Sequence, residues 1–303
     1  MTLGLLCPGQ GDQSPAMFGI LEGSAPANDI FALFSRETGR EPDRLSPSEM
    51  QANVIAQPLV CAYQLAAWAV LQDRLPQPRA LAGYSVGELA AYGCARALAP
   101  GDVIRLAQDR ARKMDEAYAG DSAMTALRGL KLSDVEALCA SCGAEISIIN
   151  GGDKLIVGGA REAVAACEQA ALARGAKISR LAIHIPSHTS LMRPSVAPFL
   201  DSLEGAEWRP PLAPVMRGTD GAPILQPAKA RVALSAQLAQ TVNWAACLDG
   251  MNEAGCTVLL ELGPGDGLSR MARERLPDIP ARSLSEFHTL DGAVGWVLRA
   301  LEG

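Results

Sequence analysis

Aromatic residues are scarce in this 303-residue chain: Phe, Tyr and Trp make up 4% of it, whereas apolar residues reach 49%. A sandwich or barrel built on aromatic rings is thereby disfavoured. Ala, Leu and Gly carry the composition instead, which favours helices packed closely on a sheet. Clusters of Lys and Arg are also missing. With a net charge of −6 and a pI near 5.2, the chain lacks the basic face of a nucleic-acid binder. No apolar run reaches the roughly 20 residues of a membrane span. The run Leu59–Leu71 carries Gln64, stops early and reads as a buried helix. The first apolar run, Leu3–Cys7, is too short for a signal peptide. These absences set the expectation of a cytoplasmic protein with neither nucleic-acid nor membrane partners. The eight cysteines (Cys7, Cys61, Cys94, Cys139, Cys142, Cys167, Cys247 and Cys256) are too dispersed for a disulfide scaffold and read as buried thiols. Cys139 and Cys142 form one Cys-x-x-Cys, but a zinc site needs about four ligands. No second pair stands nearby, so no metal site is expected.

The length suits one large domain with a smaller companion. The run Leu3–Cys7 reads as a buried strand ending in the turn Pro8-Gly9-Gln10-Gly11. Residues 57–75 look helical, Ala80-Leu81-Ala82 is a second short strand, and helices follow at Glu88–Ala97 and Asp102–Tyr118. Alternating short strands and helices indicate a layered α/β arrangement. From Ala123 the rhythm changes. Strands are expected at Ala123–Leu127, Ala144–Ile149, Leu155–Val157 and Lys177–Ile183. Helices are expected at Asp134–Cys142, N-capped by Ser133 with Glu136 at capping-box spacing, and at Arg161–Arg174, closed by Gly175. That β-α-β-β-α-β order is the ferredoxin-like pattern. A helix at Leu191–Leu203, helices around 227–254 and a strand at Thr257–Leu262 complete the expectation.

Gly83-Tyr84-Ser85-Val86-Gly87, set between a short strand and a helix, has the form of a nucleophile elbow. The turn is so tight that glycines flank the Ser. The helix N-terminus behind it favours developing negative charge. Taken alone, the motif also fits a structural Ser cap. A nucleophilic Ser needs a base, and the chain has three histidines: His184, His188 and His288. His288 suits the C-terminal base of an α/β-hydrolase. His188, in Ile185-Pro186-Ser187-His188, lies where the insert rejoins the chain. Each also reads as an ordinary surface or core residue.

Four separated motifs, from Pro8 to about Leu268, resemble those of the malonyl-CoA:acyl-carrier-protein transacylases. They are Pro8-Gly9-Gln10-Gly11-Asp12-Gln13, Gly83-Tyr84-Ser85-Val86-Gly87-Glu88, Pro186-Ser187-His188 with Leu191-Met192, and Glu261-Leu262-Gly263-Pro264-Gly265. The resemblance implies an α/β-hydrolase-like catalytic domain over 1–122 and 188–303, with a ferredoxin-like subdomain over 123–187. It picks His188 and implies a Ser85–His188 dyad, with the backbone carbonyl of Asn243, the residue before Trp244, orienting the imidazole. The oxyanion hole would be the N–H groups of Gln10 and Val86. Arg110, in Arg105-Leu106-Ala107-Gln108-Asp109-Arg110-Ala111-Arg112, resembles the arginine that clamps the malonyl carboxylate. A planar guanidinium fork suits that task, and Arg112 is expected to face solvent.

Ala111 stands where the family normally has Gly after that arginine, a mild departure, and two positions depart further. Tyr84 stands where the family most often has His, beside the nucleophile and within reach of the malonyl carboxylate. Cys7 replaces a typical aromatic. Both resemble the malonyl-transfer subunit of bacterial malonate decarboxylases. The implied activity is ping-pong transfer of malonyl from malonyl-CoA, through a malonyl-Ser85 ester, to the thiol of an acyl carrier protein. No permanently bound cofactor is expected, and the setting is fatty acid biosynthesis or malonate decarboxylation. The rivals are a serine hydrolase using Ser85 with His288, and a non-catalytic carrier-docking module.

Overall fold

A computed structural model describes residues 1–183 and 185–302; His184 lies outside the described residues. Two sheets organise the chain. The larger has the spatial order Ala281–Ser283, Val258–Glu261, Leu3–Cys7, Ala80–Gly83, Val215–Met216, Pro223–Ile224. Its neighbours run parallel except the last pair, which is antiparallel. The two central strands are buried at every position. Short continuous apolar runs are what a parallel sheet covered on both faces requires. Three long helices, Ala25–Thr38, Asn53–Leu71 and Pro100–Ala117, share the main core with this sheet. Asn53–Leu71 is long and apolar enough to cross a membrane, yet most of it is buried inside the protein, as Gln64 led us to expect.

The smaller sheet has the order Lys177–Arg180, Ser122–Arg128, Lys154–Ala160, Glu145–Gly151, Val242–Asn243. Its first four strands are mutually antiparallel, and the helices Leu132–Cys142 and Arg161–Ala173 pack on one face. Met124, Ile148, Ile156 and Val242 form a separate apolar cluster that reaches Tyr84.

Several expectations need correction. The helix expected from Asp134 begins at Leu132, and Lys131 rather than Ser133 holds the N-cap position. The Lys131 carbonyl already accepts from Asp134 and Val135, so Ser133 falls inside the first turn. The strand at Lys177 stops at Arg180. The stretch around 227–254 is two helices, Pro227–Ala236 and Trp244–Glu253, separated by a short strand, Val242–Asn243. That strand pairs in parallel with Ile148 and Ile149, so the small sheet draws its fifth strand from outside 123–187. Two residues are too few for any periodicity to announce them.

The glycines around Ser85 are explained by close backbone approach. A Cβ at Gly83 would collide with the backbone of Gly87 and Glu88, and one at Gly87 would collide with the Cys7 carbonyl. Neither obstacle is a flexible side-chain end. Gly87→Ala is therefore expected to lower stability by at least about 2 kcal/mol in urea melts. A change below about 0.5 kcal/mol would contradict this account.

Candidate active site

The strands Leu3–Cys7 and Ala80–Gly83 end side by side, and the loops that follow them meet. The Tyr84 N–H donates to the Cys7 carbonyl at 2.9 Å, and Gln64 Nε2 donates to the Pro8 carbonyl at 2.7 Å. Gln64, the polar interruption in an apolar helix, is thus what holds the Gly9–Gly11 loop. Gly265 of the C-terminal motif packs against Asp12 so closely that a Cβ there would strike the Asp12 carboxylate. That motif therefore buttresses the loop. Among the described residues, no backbone oxygen accepts from the N–H of Gln10 or of Val86.

Ser85 has φ 55°, and His188 has φ 63°. Left-handed backbone costs a non-glycine residue on the order of 1–3 kcal/mol and persists only where surroundings enforce it. Both strained residues belong to one hydrogen bond: Ser85 Oγ and His188 Nε2 lie 2.8 Å apart. On the other side of the ring, Nδ1 lies 2.7 Å from the Gln237 carbonyl. A carbonyl can only accept, so Nδ1 carries the hydrogen and Nε2 is left to accept from the Ser hydroxyl.

The expected carbonyl was that of Asn243, and this is corrected: the oxygen facing Nδ1 belongs to Gln237. Asn243 has other work. Its N–H donates to the Gly218 carbonyl, its backbone pairs with Ile149, and its side chain caps the helix Trp244–Glu253 by accepting from Ala246 N–H at 3.0 Å. His288 is exposed and lines a different cleft, with Asp12, Tyr63 and Pro264. It makes no contact with Ser85, which removes the geometric basis for the hydrolase pairing.

Arg110 comes from the helix Pro100–Ala117 and is only 3% exposed. Its Nη1 donates to Gln57 Oε1 at 2.7 Å, and its Nη2 lies 3.4 Å from Ser85 Oγ and 3.3 Å from Gln237 Oε1. All three partners are neutral. Arg112, two residues on, is exposed and pairs with Asp109. Tyr84 stands beside Ser85 with its ring edge-on to Trp244 at 5.5 Å, and burial pushes its hydroxyl pKa up.

A cavity of about 670 Å³ opens over these groups, lined by Gln10, Tyr84, Ser85, Arg110 and His188 below and by Met124, Ile148 and Ile156 of the small sheet above. Such apolar walls strengthen the charge interactions inside. Burial, followed by the Arg110 charge, pushes the His188 pKa down to about 3, against the opposing effect of the Gln237 carbonyl. Burial lowers Arg110 to about 10, so it stays cationic at neutral pH. Among the described residues, no group of three or more His, Cys, Asp and Glu gathers as for a metal ion.

Residues 6–274 match the family described as acyl transferase domain. The chain belongs to that family. This acyltransferase is 30% identical over 301 residues to the malonyl CoA-acyl carrier protein transacylase of Haemophilus influenzae, covering 93% of this chain and 95% of that protein. It is 29% identical over 299 residues to the Escherichia coli protein of the same name, covering 95% and 97% of the two chains. Among solved structures, the malonyl-CoA:acyl carrier protein transacylase of Xanthomonas oryzae superposes with TM-score 0.92 at 30% identity, covering 97% of this acyltransferase and 98% of that chain. A malonyl-transacylase in complex with a type II PKS acyl-carrier protein superposes with TM-score 0.93 at 28% identity, covering 97% and 99%.

Sequence reasoning missed Gln57 and Gln237. Gln57 had a signal, a lone amide in the apolar run Ile55-Ala56-Gln57-Pro58-Leu59. Nothing local distinguishes Gln237. The neutral Nδ1–H tautomer of His188 should persist at pH 5, well below the ordinary imidazole pKa of about 6.5. Nitrogen-detected NMR of the labelled ring reads this directly, and titration at the ordinary value would contradict the buried geometry.

Proposed function

We propose that the protein transfers a malonyl group from malonyl-CoA to the thiol of an acyl carrier protein through an ester on Ser85. The observation that carries this reading is Arg110. Among the described residues, no ion pair reaches this buried guanidinium, although its hydrogen-bond distance from the nucleophile is 3.4 Å. The buried Glu88 carboxylate acts on it only through space, its bonded oxygen being held by Gly218 and Gln237, and a buried cation without a contacting anion costs several kcal/mol. A free carboxylate on the acyl group would supply the missing anion, and a planar guanidinium holds a carboxylate through charge-assisted bonds. A malonyl thioester carries that carboxylate and an acetyl thioester does not. The names of the relatives support both donor and acceptor, and the complex with a carrier protein supports the carrier as partner.

The fold is read as an α/β-hydrolase-like domain, 1–122 and 188–303, carrying a ferredoxin-like subdomain, 123–187. The antiparallel order of the four small-sheet strands supports the second part. In the reaction, His188 Nε2 takes the Ser85 hydroxyl proton as Oγ bonds to the thioester carbon. The carbonyl oxygen becomes an oxyanion facing the N–H groups of Gln10 and Val86. Losing one such donor typically costs about 10²–10³ in rate. Collapse breaks the C–S bond, and His188 returns the proton to the departing thiolate, releasing CoA. The carrier thiol then gives its proton to His188 and attacks the malonyl-Ser85 ester, and the Ser hydroxyl is restored. The Gln237 carbonyl supports the imidazolium that forms in each half. Tyr84 flanks the acyl group, and Tyr84 with Cys7 carries the resemblance to the malonyl-transfer subunit of malonate decarboxylases.

Intact-protein mass spectrometry after incubation with malonyl-CoA should show a malonyl adduct that Ser85→Ala and His188→Ala abolish and His288→Ala leaves in place. Absence of any adduct on the wild type would overturn the reading. Arg110→Ala should lower malonyl loading by roughly 10–100-fold, the value of a hydrogen-bonded charge, while changing acetyl loading far less. Equal losses on both substrates would remove Arg110 from the clamp role.

A further inference from the structure

Behind the dyad lies a buried group that the transfer chemistry does not touch. Glu88 sits in the elbow helix, Gly87–Cys94, and is fully buried. Its own N–H donates to the Ser85 carbonyl at 3.1 Å. Its carboxylate accepts two hydrogen bonds, both at Oε2: from the Gly218 N–H at 2.9 Å and from Gln237 Nε2 at 2.5 Å. Gln237 then faces two ways at once. Its side-chain Oε1 accepts from Arg110 Nη2, and its main-chain oxygen accepts from His188 Nδ1. Because the amide's NH₂ end meets a carboxylate and its oxygen end a guanidinium, a flipped Gln237 would set like against like at both ends.

We propose that Glu88 is a positioning residue for the transfer, fixing Gln237 so that one residue presents its main-chain oxygen to the base and its amide oxygen to the clamp. This rests on the reading of Ser85, His188 and Arg110 as nucleophile, base and clamp. The anchor is rigid on its far side as well. Gly218 leaves no room for a Cβ between Glu88 Oε2 and the Gln237 amide, and its carbonyl accepts from Asn243 N–H at 2.8 Å. The groups facing the carboxylate are Arg110 from the helix Pro100–Ala117, Arg217 following the strand Val215–Met216, Tyr92 from its own helix, and Cys247 from the helix Trp244–Glu253. Burial holds the Glu88 pKa up at about 7, opposed by the Gly218 and Gln237 hydrogen bonds and then by the two arginines. The second oxygen, Oε1, has no hydrogen-bond partner among the described residues. Position therefore depends on Oε2 alone, and a neutral amide whose oxygen takes that place keeps both donors.

The test compares wild type, Glu88→Gln and Glu88→Ala, measuring kcat and KM for Ser85 acylation by malonyl-CoA and by acetyl-CoA. Misplacing a reacting group by about 1 Å costs on the order of 10²-fold. Glu88→Ala is expected to lower malonyl kcat/KM by about 10²-fold and acetyl kcat/KM by about tenfold. The kcat loss reports His188, and the rise in malonyl KM reports Arg110. Glu88→Gln should stay within about threefold of wild type and keep the malonyl preference. A folded Glu88→Ala with wild-type constants, or a Glu88→Gln as impaired as Glu88→Ala, overturns the proposal. Should Glu88→Ala fail to fold, Gln237→Met, which keeps the main-chain oxygen and removes the amide, must raise malonyl KM about tenfold more than acetyl KM; equal changes overturn it. A wild type that forms no malonyl adduct instead defeats the functional reading itself, so the two failures are separable.

Discussion

The 2.8 Å hydrogen bond between Ser85 and His188 joins residues 103 positions apart, and much of the architecture serves to make that approach possible. Ser85 stands at the end of a central strand of the large sheet, and His188 follows the chain's return from the small one. Each holds a left-handed backbone that its residue type disfavours. On the Ser side, the enforcement is the close stacking of Gly83 and Gly87 on neighbouring backbone. On the His side, it is the segment 237–238, whose carbonyls accept from both the ring and the N–H of His188. Strain at the two ends of one contact is tolerable because rigid packing surrounds both.

Electrostatics follow from the same burial. A His at the surface would spend part of its time protonated near neutral pH. Here the apolar surroundings and the Arg110 charge keep the ring neutral. The same Arg110 has two neutral amides and a hydroxyl as its hydrogen-bond partners, with the Glu88 carboxylate acting on it from beyond Gln237. Both effects share a source: burial beside one cavity, which disfavours a proton on the imidazole and lowers the Arg110 pKa while leaving it cationic. Gln237 stands between the two, touching imidazole and guanidinium with different oxygens.

Much of this was legible in order along the chain. The elbow, the Gly-Gln-Gly loop and the β-α-β-β-α-β run are local patterns. Each follows from steric demands within a few residues or from periodicity across one element, and the structure realises each of them. The short strand Val242–Asn243 was not legible, because two residues carry no period and its pairing with Ile148 and Ile149 is nearly a hundred residues distant. Asn243 was given the orienting carbonyl on resemblance, while the structure gives that place to Gln237, six positions earlier. A main-chain oxygen leaves no mark on residue type, so no side chain could have corrected the assignment.

By itself, then, the sequence determined the local backbone at Ser85, the helix that offers Arg110 and the loop that offers Gln10, since glycine sterics and helical period act between near neighbours. Tertiary structure decided which carbonyl meets His188, what the Glu88 carboxylate holds, and that Gln57 and Gln237 belong to the site at all. Those are distances between side chains far apart in the chain. They are set by how two sheets pack across a cavity, and no local propensity encodes them.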